Sequence, residues 1–195
     1  VHSLSNTTTS VNTNSIYGIS LSLPATANIV ERNFIHSLNI SGTGTAGSYQ
    51  TWGISGGATG TTTYKNNMIR LGIKPDGTSM TFGASIIGIR DAAGATNNYY
   101  NNSVYIGGTG VVSSANTYCF FSDVVTVVHA IQNNIFWNAR SNASGGIANL
   151  AIRVAGTAPN PTGLTSNYND LLANGTYGNI GVFNSLIVPD IATWR

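Results

Sequence analysis

The stretch from Ala130 to Asn142, AIQNNIFWNARSN, sets two asparagines, Asn133 and Asn134, directly before an apolar run. A single Asn-Asn pair marks a turn, but this one recurs. It aligns with IVERNFI (29–35), TYKNNMI (63–69), YYNNSVY (99–105) and SNYNDLL (166–172). The second residue of the pair falls at Asn33, Asn67, Asn102, Asn134 and Asn169, with spacings of 34, 35, 32 and 35. Two places on stand Ile35, Ile69, Val104, Phe136 and Leu171, apolar each time.

A second column keeps the same period. IYGIS (16–20), TWGIS (51–55), IIGIR (86–90), YCFFS (118–122) and NLAIR (149–153) align so that Ile19, Ile54, Ile89, Phe121 and Ile152 share an apolar position. Gly18, Gly53 and Gly88 share a small one. Each repeat then holds three short β-type runs and no stretch of ten or more residues with helical apolar spacing. Three short strands per turn at a fixed period predict an all-β parallel solenoid. It should have about five coils of 31–35 residues over positions 11–181, within a single domain 1–195. Asparagine suits the bend because it tolerates the left-handed backbone region. Stacked at about 4.8 Å per coil, the five asparagines should hydrogen-bond as a ladder.

Composition agrees with an ordered β protein. Charged residues are 7% of the chain, while 42% are hydrophobic, too apolar for disorder. A scattered net charge of +2 gives no electrostatic footprint for nucleic acid. No apolar run is long enough to span a membrane as a helix. Cys119 stands alone in TYCFF, which predicts a buried small hydrophobe.

The stacked bend asparagines, apolar columns and coil-length repeats resemble the right-handed parallel β-helix superfamily, whose members include pectate lyases. IQNNIFWNARSN followed by SNYNDLL and a final IATWR is similar to β-helix regions of large secreted or surface proteins of type IX secretion bacteria. The resemblance covers about residues 16–172. It implies a right-handed β-helix, a secreted or cell-surface location, and a fragment of a longer chain.

Of six carboxylates, Asp91 and Asp123 follow aligned strands 32 residues apart. In register they would stand about 5 Å apart and repel by about 3 kcal/mol at an effective dielectric of 20. Such a pair raises one pKa or holds a cation, calcium being the suitable one. It also has the spacing of a retaining glycosidase, with Arg90 and Arg153 beside it as neutralising or catalytic partners. Against this, a polysaccharide enzyme needs a denser group of acids with a basic partner. His2, His36 and His129 form no metal-ligand spacing, and no GxSxG or phosphate-cradling motif occurs.

The outward column of the third strand reads His36, Arg70, Tyr105, Trp137 and Leu172. Stacked aromatics beside polar side chains hold sugar rings, or mark a surface packed on a neighbouring domain. Polar loops at 41–50, 74–83, 107–116 and 141–149 should emerge on one side of the solenoid. Open strand edges at the coil ends need capping or pairing. Residues 182–195 break the repeat and contain Pro189, which suits a C-terminal cap. The first coil should instead meet another domain, another subunit or missing upstream sequence, and a head-to-tail contact between subunits would build fibres. The expected role is a structural or adhesive extracellular module, with glycan as partner. The alternative is a polysaccharide lyase or glycoside hydrolase.

Overall fold

The computed structural model describes residues 1–8, 12–22, 27–42, 48–57, 59–92, 94–112, 115–124, 129–143, 148–156, 163–183 and 185–194. In chain order, β1 (Ser5–Thr8) precedes a first coil of β2 (Asn14–Leu21), β3 (Asn28–Glu31), β4 (Phe34–His36) and β5 (Asn39–Gly42). The next coils are β6 (Tyr49–Gly56), β7 (Thr62–Lys65) and β8 (Met68–Leu71), then β9 (Ser85–Asp91), β10 (Asn97–Tyr100) and β11 (Ser103–Ile106). They are followed by β12 (Thr117–Ser122), β13 (His129–Gln132) and β14 (Ile135–Asn138), then β15 (Asn149–Val154), β16 (Leu164–Asn167) and β17 (Asp170–Ala173). The chain closes with β18 (Gly178–Phe183), β19 (Leu186–Val188) and α1 (Ile191–Trp194).

These strands stack into a parallel β-solenoid of about four turns, slightly fewer than the five coils expected. One long sheet runs β19-β18-β15-β12-β9-β6-β2. Two short sheets run β16-β13-β10-β7-β3 and β17-β14-β11-β8-β4. Among the described residues the strands of successive coils pair in parallel, while β18–β19 and the isolated Ile73–Ser79 bridge are antiparallel.

The pleat points alternate side chains inward, and the inward columns form one core. Ile35, Ile69, Val104, Phe136 and Leu171 line the sheet after the bend, while Val30, Tyr64, Tyr99 and Ile131 line the sheet before it. Tyr64 and Tyr99 stack at 4.9 Å, 7° from parallel. Cys119 is buried, as expected, and burial pushes its thiol well above the usual range.

At the bend, two residues divide the work assigned to one. The left-handed conformation belongs to the first of each pair: Arg32, Asn66, Asn101, Asn133 and Tyr168, with φ between 53° and 57°. The second residue makes the ladder. Side-chain amides donate from Asn33 to Asn67, Asn67 to Asn102, Asn102 to Asn134 and Asn134 to Asn169, at 2.9–3.0 Å. The other amide hydrogen of Asn67, Asn102, Asn134 and Asn169 reaches a carbonyl of the coil before, at Val30, Tyr64, Tyr99 and Ile131. Each acceptor oxygen also takes the backbone N–H of the preceding ladder residue. The interior members Asn67, Asn102 and Asn134 are buried with both amide hydrogens and the oxygen in use.

The second column needs a correction. Ile89 pairs with Phe120, not Phe121, and Phe120 pairs with Ile152. The spacings are therefore 35, 35, 31 and 32. Between the paired positions runs a small column of Gly18, Gly53, Gly88, Cys119 and Ala151. A Cβ at Gly53 would stand 2.5 Å from the Gly88 carbonyl oxygen and 2.7 Å from Ile69, so the coils pack too closely there for a large side chain.

The two ends differ. At the tail, β19 turns back on β18, and the Trp194 ring presses on Gly181 and the core. Asp190 caps α1 by accepting the Thr193 N–H and hydroxyl at 2.8 and 2.9 Å, which holds its carboxyl below the usual range. At the head, residues 1–8 run beside β4 and β5 through the His2–His36 bridge and the β1–β5 pairing. Among the loops, 74–83 lies wholly within the described residues, and 41–50, 107–116 and 141–149 lie partly outside them.

Candidate functional site

The sheet after the bend shows its outer face to solvent. Alternation that buries Ile35, Ile69, Val104, Phe136 and Leu171 sends their neighbours outward in two columns. One is Phe34, Met68, Ser103, Ile135 and Asp170, and the other is His36, Arg70, Tyr105, Trp137 and Leu172. The second column is the one read from the sequence, brought into register as expected. Met68 is 55% exposed and Trp137 40%, with Phe34, Ile135 and Leu172 between them.

The rings on this face are held in place. Tyr105 and Trp137 meet edge to face at 5.1 Å, and the Trp137 indole N–H donates to Asn174 Oδ1 at 2.9 Å. Phe34 stacks on His36 at 4.4 Å, and His36 on His2 at 5.2 Å. Partial burial, then the charges of His2, the amino terminus and Arg70, hold the His36 imidazole below its ordinary pKa. In these two columns His36, Arg70 and Asp170 are the only ionisable side chains apart from the Tyr105 phenol, so the surface is largely apolar with a polar fringe.

The expected carboxylate pair does not form. Asp91 is in register with Ser122, and Asp123 lies one place further on. The single-residue shift sends them to opposite sides of the wall. Asp91 is buried at the corner between the long sheet and the sheet before the bend. Its carboxylate accepts from Asn97 Nδ2 at 2.9 Å and the Ser122 hydroxyl at 3.3 Å, and His129 Nδ1 stands 3.0 Å from Oδ2. That last approach is an ion-pair distance without hydrogen-bond alignment. The Tyr64 and Tyr99 hydroxyls are buried in the same corner without an aligned partner. Burial first, and the Asp91 charge second, push Tyr64 up to about 12 and Tyr99 well above its ordinary value. The partners of Asp91 fit a structural anion, and no group of three metal-ligating side chains occurs among the described residues.

Asp123 sits on the outer face of the long sheet, ion-paired with Arg153 at 3.0 Å. The Arg153 guanidinium lies over Phe121 at 4.7 Å, and Arg90 over Trp52 at 4.6 Å. Beneath them Trp52, Ile87, Tyr118, Phe121 and Leu150 form a second apolar cluster outside the core. A groove of about 680 Å³ opens beside it, lined by Tyr118, Leu150, Arg153, Tyr177 and Asn179 among others. Arg90 and Arg153 thus stack on aromatic rings and do not flank a pair of acids.

One residue escaped the sequence reading. Arg140 is fully buried, donating to the carbonyls of Gly107, Met80 and Phe82 at 3.1, 2.9 and 3.2 Å. Desolvation draws its guanidinium down to about 10. A Cβ at Gly108 would come within 2.7 Å of Arg140 Nη1. Gly107 and Gly108 one coil before the arginine, with Gly72 two coils before it, are the trace this clamp leaves in the sequence.

No helix among the described residues is long and apolar enough to cross a membrane. No family model matches this chain, and no curated protein or solved structure matches it significantly, so the parallel β-solenoid rests on its own register and ladder.

Proposed function

We propose that the protein is a structural and adhesive module of a secreted or surface protein, and that the outer face of the sheet after the bend lies against polysaccharide. The supporting observation is the in-register column of His36, Arg70, Tyr105 and Trp137 beside exposed Phe34, Met68 and Ile135. Apolar ring faces of sugars pack on such aromatics, and the flanking polar groups take hydroxyls. A nearly uncharged face favours a neutral polysaccharide over an acidic one. The location follows from the likeness to surface β-helix regions of type IX secretion bacteria. The hydrolase or lyase reading has no observation in its favour, since Asp91 is enclosed and Asp123 is paired with Arg153.

The test is retention on insoluble neutral polysaccharides, compared with the double variant Tyr105→Ala/Trp137→Ala and with Arg153→Gln on the other face. Retention lost in the double variant and kept in Arg153→Gln supports the reading. Equal retention of all three proteins, or retention by none, sinks it.

A further inference from the structure

We propose that Asn174–Gly175, at the exit of β17, is a self-modification site, where the asparagine converts to a carboxylate without an enzyme and Trp137 on the outer face registers the change. Asn174 is the only asparagine of the chain that glycine follows. In such a pair the glycine nitrogen reaches the side-chain amide carbon unhindered, because no Cβ stands beside it.

Packing imposes both residues. A Cβ at Gly175 would collide with the Arg140 carbonyl oxygen, so the preceding coil admits glycine alone there. Asn174 supplies the oxygen that accepts the Trp137 indole N–H at 2.9 Å. The pair that cyclises most readily is thus held in place by two contacts unrelated to its reactivity.

The reacting groups are also accessible. Asn174 is exposed, so water and base reach it. Among the described residues neither the Gly175 N–H nor the Asn174 side-chain nitrogen has a hydrogen-bond partner. The ladder asparagines differ on both counts. Their amides donate along the stack, and the residues after Asn67, Asn102, Asn134 and Asn33 are larger, with backbone N–H groups already bonded or strands already paired.

The chemistry needs only base and water. The Gly175 N–H loses its proton, and its nitrogen bonds to Asn174 Cγ. The Cγ–Nδ2 bond breaks, ammonia leaves, and a cyclic imide remains. Oδ1 need not leave the indole, which donates to the oxygen where negative charge gathers during the attack. Water then adds to either imide carbonyl and cleaves its bond to that nitrogen, giving aspartate or isoaspartate. Either product lowers the formal net charge by one from +2. It places a carboxylate beside Trp137, at the edge of a face whose two outward columns hold a single acid, Asp170. The conversion does not depend on what that face binds.

The test incubates the intact, isotope-labelled protein in mildly alkaline buffer. The mass of the fragment that contains residue 174 and the Trp137 indole N–H resonance are followed in the same sample. Asn174 should convert before any other asparagine, and a shifted Trp137 indole signal should grow in proportion while that of Trp52 stays in place. Asn174→Gln keeps an amide acceptor but lacks the geometry for ready ring closure, so it should show neither change. Absence of conversion at Asn174 over the time in which a free peptide copying residues 171–178 converts fully overturns the proposal. So does earlier conversion at another asparagine, or conversion at Asn174 that leaves the Trp137 indole unmoved.

Discussion

Asp91 and Asp123 leave the same corner of successive coils, and one residue of register separates their fates. Asp91 closes β9 facing inward, enclosed by Asn97, Ser122 and His129, while Asp123 follows β12 and meets Arg153 in solvent. In a solenoid wall one step along the strand exchanges core for surface. An acid inside is a fixed part of the stack, whereas an acid outside is free to be replaced. Stability should therefore lie in the inward columns and any recognition in the outward ones.

The sharpest way to break this contrast is at the ladder. Asn102→Ala removes the acceptor of both Asn67 N–H groups and the donor to the Tyr64 carbonyl. Stranded buried groups cost about 1–3 kcal/mol each, so a loss of about 3–5 kcal/mol is expected in urea denaturation. A loss below about 1 kcal/mol would mean that the ladder is incidental. The two acids come next. Asp91→Ala leaves buried donors unpaired and should cost about 3 kcal/mol, whereas Asp123→Ala should cost less than about 1 kcal/mol. Similar values would erase the inside–outside distinction.

Alkaline pH tests the same corner by another route. Tyr64 ionises near 12 in the fold against about 10 unfolded, so the unfolded chain releases its proton first as pH rises. The stability tied to this group is complete below pH 10 and is lost as pH climbs toward 12, by roughly 2 kcal/mol. Circular dichroism against urea at pH 9 and 11.5 should show that loss. In Tyr64→Phe the pH dependence should shrink, and an unchanged dependence would place the titration elsewhere. The smallest effect is expected at Trp137→Ala, which should change stability by less than about 1 kcal/mol while lowering polysaccharide retention. A large loss of stability there would make the outer ring structural.

Much of the architecture was legible because the repeat writes it twice, in the asparagines and in the apolar residues two places on. The outward column from His36 to Leu172 was legible for the same reason, being fixed relative to the ladder by a short strand. The register of the fourth coil was not. Phe120 and Phe121 are adjacent and both large, so alternation alone cannot tell which faces inward. The small residue would have decided it. Setting Cys119 against Gly88 restores the observed pairing and moves Asp123 out of line with Asp91. Arg140 was hidden for a different reason. A buried guanidinium held by three carbonyls has no acidic partner in the sequence to advertise it. The bend also concealed its division of labour, since Arg32 and Tyr168 take the left-handed role without being asparagine.

The ladder amides bond to both neighbours, one hydrogen to the next asparagine toward the tail and the other to a carbonyl of the coil before, and the hydrogen bonds between coils run along the same axis. Tension applied between the two ends would therefore load the coil interfaces in series, each carrying the full force alone. Such a stack yields at its weakest interface first and pays out one coil's length at a time. A tether of this kind lengthens in steps under load and does not snap in a single event.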